Sequence, residues 1–202
     1  FISNRSDQPV HDYCRFRDGT LHAELWDAVT GEMIPLNGLN EVGGGVSLHV
    51  TLEPSQSFFI VFDKSANPEN SQSPESNLFG EKELIKTLEG DWNLSFDPRW
   101  GGPESVVFDS FADWTTSNEG GIRYYSGIAT YTKKFNFPES SLKTSGRYCL
   151  DLGKVKNIAS VKLNGKDLGV VWTSPWQVDI TSALKVKGNL LEVDVANLWI
   201  NR

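Results

Sequence analysis

The stretch Ala159-Ser-Val-Lys-Leu-Asn-Gly-Lys-Asp-Leu-Gly169 decides how the second half of this chain folds. Apolar Val161 and Leu163 alternate with polar neighbours, which is the two-residue period of a strand with one buried face. Asn164-Gly165 follows, and both residue types tolerate the positive φ of a type I′ turn. The stretch therefore predicts a β-hairpin.

Short alternating segments on both sides of this hairpin extend the same pattern. The return strand is predicted at 168–172, and bulky residues alternate again before and after it. With the two hairpin strands, the further segments make about eight strands, the number that a jelly roll needs. They lie at 91–96, 105–108, 124–137, 148–152, 175–180 and 191–195.

Residues 1–63 predict a separate, smaller β domain. Segment 46–52 alternates strictly, whereas 58–62 is a continuous apolar run that is typical of a strand covered on both faces. Segment 64–77 is rich in Ser, Pro, Asn and Glu and lacks large apolar residues, so burial cannot offset its ordering entropy. We predict a small immunoglobulin-like β-sandwich at 1–63, a linker at 64–77 and a jelly-roll domain at 78–202.

Composition agrees with an all-β fold and excludes some partners. The 202 residues include 18 Gly and 9 Pro, and 11% are aromatic, which suits many strands joined by tight turns. The formal net charge of −7 argues against nucleic acid and favours a neutral, hydroxyl-rich ligand. No apolar run is long enough for a membrane span. Cys14 and Cys149 lie on opposite sides of the linker, so we expect no disulfide between them.

Several motifs resemble known carbohydrate-active proteins. The first group resembles the sugar-binding jelly-roll domain of family 2 glycoside hydrolases: Tyr125-Ser-Gly-Ile-Ala-Thr-Tyr-Thr-Lys-Lys-Phe135, Leu150-Asp-Leu-Gly-Lys-Val-Lys-Asn-Ile-Ala159, Leu163-Asn-Gly-Lys-Asp-Leu-Gly169 and Asp179-Ile-Thr181. The second group resembles the C-terminal part of bacterial α-L-rhamnosidases of glycoside hydrolase family 106: Trp100-Gly-Gly-Pro103, Asn197-Leu-Trp-Ile-Asn-Arg202 and Glu24-Leu-Trp-Asp-Ala-Val-Thr-Gly31.

This resemblance implies a galactose-binding-like jelly roll and a role without catalysis. In the family, the catalytic acid and base belong to an upstream barrel of the same polypeptide, which this chain does not resemble anywhere. The chain begins as though inside a strand and ends inside a motif, so we expect a piece of a longer, periplasmic or secreted bacterial enzyme acting on plant or host polysaccharides. We expect no cofactor in this piece, and the resemblance leaves calcium in the parent enzyme open.

Three roles are compatible with this reading of the sequence. The piece could support or shape the substrate cleft of the upstream barrel, which is the leading hypothesis. It could instead be an autonomous carbohydrate-binding module, or a purely structural module that joins domains. In the first two cases carbohydrate is the partner, and in the first the barrel is a partner as well.

Aromatic residues near loops are the best candidates for contact with sugar. The C–H face of a pyranose packs on a flat aromatic ring while neighbouring polar groups bind its hydroxyls. Each ring could instead be a plug of the core, which is the role that we assign to Trp92 in its alternating strand. The predicted carbohydrate-binding residues are Arg99, Trp100, Asp113, Trp114, Arg123, Tyr124, Tyr125, Trp172 and Trp176.

We predict no catalytic or metal-binding residue. Glycoside hydrolysis usually needs two suitably spaced carboxyl groups, and acidic residues in loops more often cap turns or stay solvated. The acidic residues of the loops are Asp97, Glu104, Asp109, Asp113 and Glu119. The histidines lack metal-ligand spacing, and Gly43-Gly44-Gly45 is most simply a flexible turn.

Overall fold

The computed structural model describes residues 1–17, 22–36, 38–62, 82–144 and 146–198. The predicted linker at 64–77 and the end of the C-terminal motif at 199–202 lie outside these residues. The chain divides into two compact units, Phe1–Glu83 and Leu84–Arg202. No helix in the described part of the chain is long and apolar enough to cross a membrane.

The first unit is a sandwich of two antiparallel sheets. One sheet has the order β1-β7-β3-β4 and the other has the order β2-β6-β5. Leu48 and Val50 of the second sheet and Leu25 and Phe58 of the first are buried in one core. The strands are β1 (Ile2–Ser3), β2 (Val10–Phe16), β3 (Ala23–Trp26), β4 (Met33–Leu36), β5 (Asn40–Val42), β6 (Gly45–Leu52) and β7 (Ser57–Phe62).

The second unit contains eight strands within its described residues, as the alternation predicts. A six-stranded sheet has the order β13-β12-β15-β10-β8-β9, and a two-stranded sheet pairs β11 with β14. The strands are β8 (Trp92–Phe96), β9 (Val106–Phe108), β10 (Ile128–Phe135), β11 (Cys149–Asp151), β12 (Ile158–Leu163), β13 (Lys166–Val171), β14 (Gln177–Asp179) and β15 (Asn189–Ala196). One helical turn, α1, spans Gly120–Arg123, and 3-10 turns span Pro98–Trp100, Trp114–Thr116 and Glu139–Ser141.

The core of the second unit lies on the inner face of the six-stranded sheet. Trp92 and Val161 point into this core from strands, so the core position predicted for Trp92 is confirmed. The layer opposite the six-stranded sheet is mostly irregular. Bulky residues of turns and short segments, instead of strands, cover the sheet there. These covering residues include Trp114, Ile122, Phe137, Tyr148 and Ile180. The predicted all-β fold of β-sandwich type is confirmed.

The hairpin that decides the fold forms as predicted. Asn164 has φ 55° and Gly165 has φ 79°, as a type I′ turn requires. The Asn164 side chain also donates hydrogen bonds to the carbonyl O of Ala183 (2.7 Å) and to Oδ1 of Asn189 (3.0 Å), and it accepts one from the backbone N–H of Leu190 (2.9 Å). Asparagine therefore shapes this turn and also anchors it to the segment before β15.

Two strand predictions need correction. The apolar run at 58–62 is not covered on both faces, because Phe59 is 43% exposed and packs beside Phe1, with 5.1 Å between ring centroids. The strand predicted at 124–137 begins only at Ile128, because α1 and a buried Tyr125 precede it.

Neither Cys14 nor Cys149 forms a disulfide bond within the described residues. Burial and the nearby negative charge of Asp12 raise the pKa of the Cys14 thiol. A raised pKa lowers the thiolate fraction at neutral pH, so this sulfur is a packing group of the first unit.

Candidate functional site

The register of the six-stranded sheet brings five connections together at one end. Backbone pairing places one row of residues side by side across the sheet: Phe96, Ala129, Val195, Ala159 and Val171. Each strand enters or leaves the sheet next to this row, so the adjoining connections form one surface, which we call the rim. Its segments are 97–103, 119–127, 152–157, 172–176 and 197–198.

The 97–103 segment of the rim presents Trp100 on a capped 3-10 turn. Asp97 caps the turn by accepting a hydrogen bond from the backbone N–H of Arg99 (2.9 Å). The Arg99 guanidinium binds the same carboxylate with Nε at 3.0 Å and Nη2 at 2.7 Å. Trp100 is 57% exposed, so the turn holds a large indole in solvent. Arg99 therefore serves first to lock the turn that carries this ring.

Hydrogen bonds keep two loop carboxyl groups ionised, that of Asp97 in the rim and that of Asp113 at the start of the 3-10 turn Trp114–Thr116. Hydrogen bonds from the Arg99 side chain and backbone hold the pKa of Asp97 below its ordinary value. Hydrogen bonds from the backbone N–H and the hydroxyl of Thr115 do the same for the pKa of Asp113, with a smaller contribution from the charge of Lys156. A general acid for glycoside hydrolysis needs a raised pKa, and these two groups are shifted the other way.

Close backbone packing joins the 97–103 segment to α1. A Cβ on Gly121 would lie 2.5 Å from the carbonyl O of Gly101, so α1 approaches the segment more closely than any other residue type allows. A Cβ on Gly102 would lie 2.5 Å from Cβ of Phe96, and its ring neighbour Tyr125 would be 2.8 Å away. Trp100 and the end of α1 are thereby held at the same end of the unit.

We expect Gly121→Ala to destabilise the second unit by about 1–3 kcal/mol, because the new methyl group forces the 97–103 segment away from α1. Gly120→Ala is the matched control in the same helical turn, since a Cβ there meets nothing within 4 Å. Urea denaturation of both variants measures the difference. Equal stabilities would show that this contact does not hold the rim together.

Two of the predicted carbohydrate-binding rings belong to the core and are corrected here. Tyr125 is 1% exposed and Trp114 is 8% exposed, and both rings pack edge-on against Phe96. The Tyr125 hydroxyl accepts a hydrogen bond from the backbone N–H of Asp97 (3.0 Å) and donates one to the carbonyl O of Ile128 (3.0 Å). These rings support the rim from below and have no exposed face for a sugar.

Two other predicted residues lie on the exposed side of the rim. Tyr124 is 61% exposed, and the Arg123 guanidinium carbon lies 5.5 Å from its ring centroid. This cation–π contact holds the phenol ring on the surface at the end of α1. Sequence alternation could not tell Tyr124 from Tyr125, because both lie in the connection between α1, which ends at Arg123, and the strand that begins at Ile128.

The two remaining predicted tryptophans differ in exposure. Trp172 is 57% exposed and directly follows Val171 of the pairing row. Trp176 is partly buried against the core, and its carbonyl O accepts a hydrogen bond from the backbone N–H of Leu152 (2.8 Å). Trp172 is therefore a candidate for ligand contact, and Trp176 mainly packs.

Sequence reasoning missed residues that complete the rim. Ile128 and Ile158 are 58% and 46% exposed, and both pair with Ala196 on the outer face of the sheet. Asn197 accepts a hydrogen bond from the backbone N–H of Gly127 (2.9 Å) and donates one to the carbonyl O of Tyr125 (2.8 Å). The Asn197 motif signalled this clamp, whereas the isoleucines gave no signal before the register was known.

Within the described ranges, no group of three or more His, Cys, Asp or Glu side chains could hold a metal ion.

Comparison with known proteins relates this unit to carbohydrate-active enzymes. Residues 113–201 match the family described as "Glycosyl hydrolase 2 galactose-binding domain-like". A Formosa agariphila protein named "Putative beta-glucuronidase" is 41% identical over 115 residues, which are 57% of this chain and 10% of that protein. Residues 113–201 are therefore similar to the galactose-binding-like domain of family 2 glycoside hydrolases.

A solved structure resembles nearly the whole chain. The rhamnosidase of Novosphingobium sp. PP1Y matches with a TM-score of 0.81 and 31% sequence identity. The match covers 98% of this chain and 18% of that chain. This chain therefore spans less than a fifth of either relative.

Proposed function

We propose that this chain is an accessory, non-catalytic part of a bacterial glycoside hydrolase that resembles α-L-rhamnosidases of family 106. In this proposal the rim shapes the substrate cleft of a catalytic barrel in the same polypeptide. The parent enzyme acts on plant or host polysaccharides in the periplasm or outside the cell.

The observation that carries this proposal is the exposure of large aromatic rings on a rim that is otherwise well packed. Trp100, Tyr124 and Trp172 each keep more than half of their surface exposed, although a small domain normally gains stability by burying such rings. Hydrogen bonds between Arg99 and Asp97 fix the turn that carries Trp100. The close contact between Gly121 and Gly101 holds this segment beside α1, which ends next to Tyr124. A sugar face is a ligand that fits such rings, because its C–H groups pack on a flat indole or phenol.

The electrostatics also support a role without catalysis. Hydrogen bonds lower the pKa values of Asp97 in the rim and of Asp113 outside it, so both carboxyl groups are held in the ionised form. The match to a rhamnosidase over 98% of this chain but 18% of that protein supports the place of the piece beside a larger domain.

We expect the isolated 202-residue chain to release no product from aryl α-L-rhamnosides or aryl β-glucuronides. The physical reason is that the pKa values of Asp97 and Asp113 are lowered, whereas the proton donor in glycoside hydrolysis needs a raised pKa. Fluorescent release from the aryl group measures this directly. Turnover that Glu104→Gln or Asp113→Asn abolishes would overturn the proposed role.

Calorimetric titration of the isolated chain with rhamnose-containing oligosaccharides separates the alternatives. Cleft shaping predicts weak or no binding by the isolated chain but a kinetic effect of rim substitutions in the parent enzyme. Binding by the isolated chain that Trp100→Ala removes would favour an autonomous carbohydrate-binding module. An absence of both effects would favour a purely structural module.

A further inference from the structure

The outer face of the smaller sheet of the first unit carries a line of polar and aromatic side chains. Along β2, alternate residues point away from the core, since Cys14 and Phe16 are the ones that pack against it. The outward positions at and just beyond this strand are His11, Tyr13, Arg15 and Arg17, and all four are exposed. Tyr13 is 68% exposed, which is high for a phenol ring on a strand.

The neighbouring strand β6 completes this face with uncharged or basic groups. His49 pairs with Tyr13 across the strands, and the two ring centroids are 4.9 Å apart in an edge-on contact. His11 pairs with Thr51, and Nδ1 of the histidine lies 3.1 Å from the threonine hydroxyl. The next outward residues are Ser47 of β6 and Asn40 of β5, which pair with each other.

Carboxylates are absent from this face among the described strand residues. Asp12 pairs with Val50, and Glu41 pairs with Val46. Both valines are buried on the face of the sheet that is turned toward the core. Because side chains alternate between the two faces, these carboxylates belong to the other face. The protein as a whole has a formal net charge of −7, whereas the charged side chains on this face are the positive ones of Arg15 and Arg17.

The basic end of the line opens into a hollow beside a glycine turn. Arg15, Arg17 and the turn Gly43-Gly44-Gly45 line a hollow of about 670 Å³. Arg15 Nη2 donates hydrogen bonds to the carbonyl O of Val42 (3.2 Å) and of Gly43 (3.4 Å), which fixes the guanidinium at its edge. A Cβ on Gly45 would collide with the carbonyl O of Phe16, so only glycine lets the turn come this close to β2.

We propose that this face, which we call the basic stripe (His11, Tyr13, Arg15, Arg17 and His49), binds an acidic oligosaccharide that carries uronate carboxylates. The choice of a sugar rests on the proposed function, and the choice of an acidic one rests on the charge of the stripe. The stripe is a second site, in a different unit from the rim.

The chemistry of the stripe matches such a ligand at each position. Arginine forms two parallel hydrogen bonds to a carboxylate, and Arg17 and the free edge of Arg15 offer this geometry at the hollow. The exposed Tyr13 ring offers a flat face for the C–H groups of a pyranose. His11, His49 and Thr51 supply donors and acceptors for hydroxyl groups. The seven residues from His11 to Arg17 extend over roughly 20 Å, long enough for several sugar units in a row.

The test is titration of the 202-residue chain with an oligogalacturonide, with a neutral oligosaccharide of equal length and with a sulfated one. We expect the oligogalacturonide to bind, the other two to bind less well, and added salt to weaken binding. The double variant Arg15→Gln with Arg17→Gln should weaken binding of the oligogalacturonide by about tenfold or more, because two charged hydrogen-bond donors are lost. Lys134→Gln with Lys187→Gln is the control of equal charge change, and both lysines are exposed in the other unit, outside the rim.

Amide shifts in NMR spectra locate the ligand without any substitution. We expect the changes to concentrate at 10–17 and 43–51, and Trp100→Ala to leave this binding unchanged, which separates the stripe from the rim. Equal binding of the neutral or sulfated sugar, equal loss in the lysine control, or shifts confined to the rim would overturn the proposal. The first two of these outcomes leave the proposed role of the rim open, whereas shifts confined to the rim would also favour an autonomous carbohydrate-binding module.

Discussion

Asn189→Ala should lower the free energy of unfolding of the second unit by about 2–4 kcal/mol. Asn189 is fully buried, and its side chain makes several hydrogen bonds within a partly buried network. Its Oδ1 accepts from the backbone N–H of Lys185 (2.9 Å) and from Nδ2 of Asn164 (3.0 Å), and its Nδ2 donates to the carbonyl O of Lys185 (2.6 Å). Alanine removes these hydrogen bonds, although Asn164 Nδ2 keeps its bond to the carbonyl O of Ala183. A polar group left unpaired in a buried position costs about 1–3 kcal/mol.

Urea denaturation followed by tryptophan fluorescence measures this effect. Six of the seven tryptophans lie in the second unit, since Trp26 alone belongs to the first, so the signal reports the unit of interest. Asn136→Ala is the matched control, because this exposed asparagine accepts one hydrogen bond, from the backbone N–H of Gly188 (2.9 Å). A loss below about 0.5 kcal/mol for Asn189→Ala would contradict the assigned network.

Trp100→Ala in the parent enzyme should lower kcat/KM by roughly 5- to 150-fold if the indole stacks on substrate. This factor corresponds to a loss of about 1–3 kcal/mol of transition-state stabilisation. The same change should affect stability little, because the ring is 57% exposed and contributes little buried area. The measurement compares kcat/KM on an aryl α-L-rhamnoside and on a rhamnose-containing oligosaccharide with the midpoint of thermal unfolding.

Trp26→Ala is the matched control for the loss of a partly exposed indole. Trp26 lies in the first unit, is 40% exposed and donates a hydrogen bond to Oε2 of Glu24 (2.8 Å). We expect this variant to leave kcat/KM unchanged. A Trp100→Ala enzyme with normal kcat/KM but reduced stability would assign the ring to structure and would favour the purely structural module.

Much of the second unit could be predicted from local patterns. Alternation predicts a buried strand face because successive side chains point to opposite sides, and Leu94, Val161 and Leu191 occupy such positions in the core. Asn164-Gly165 predicts its turn because few other residues tolerate positive φ at both positions. Strand β2 was missed, because its inward positions include Asp12 beside partly buried Cys14 and so break the apolar alternation.

The membership of the candidate site was harder to predict than the strands. Tyr124 and Tyr125 are neighbours of the same type, yet one is 61% exposed and the other 1%. Their difference arises from α1, whose approach to Gly101 depends on Gly121 and on a segment about twenty residues earlier in the chain. No local pattern contains that contact.

By itself, the sequence determined the all-β class and the central hairpin, because these depend on side-chain period and on φ preferences. The tertiary structure alone decided which rings are exposed and which loops share an end. Strand register made that choice, since pairing Phe96 with Ala129 and Ala159 with Val171 aligns connections that are far apart in the chain. It likewise gathered His11, Arg15 and His49 on one face, because cross-strand neighbours are set by backbone hydrogen bonds between distant segments.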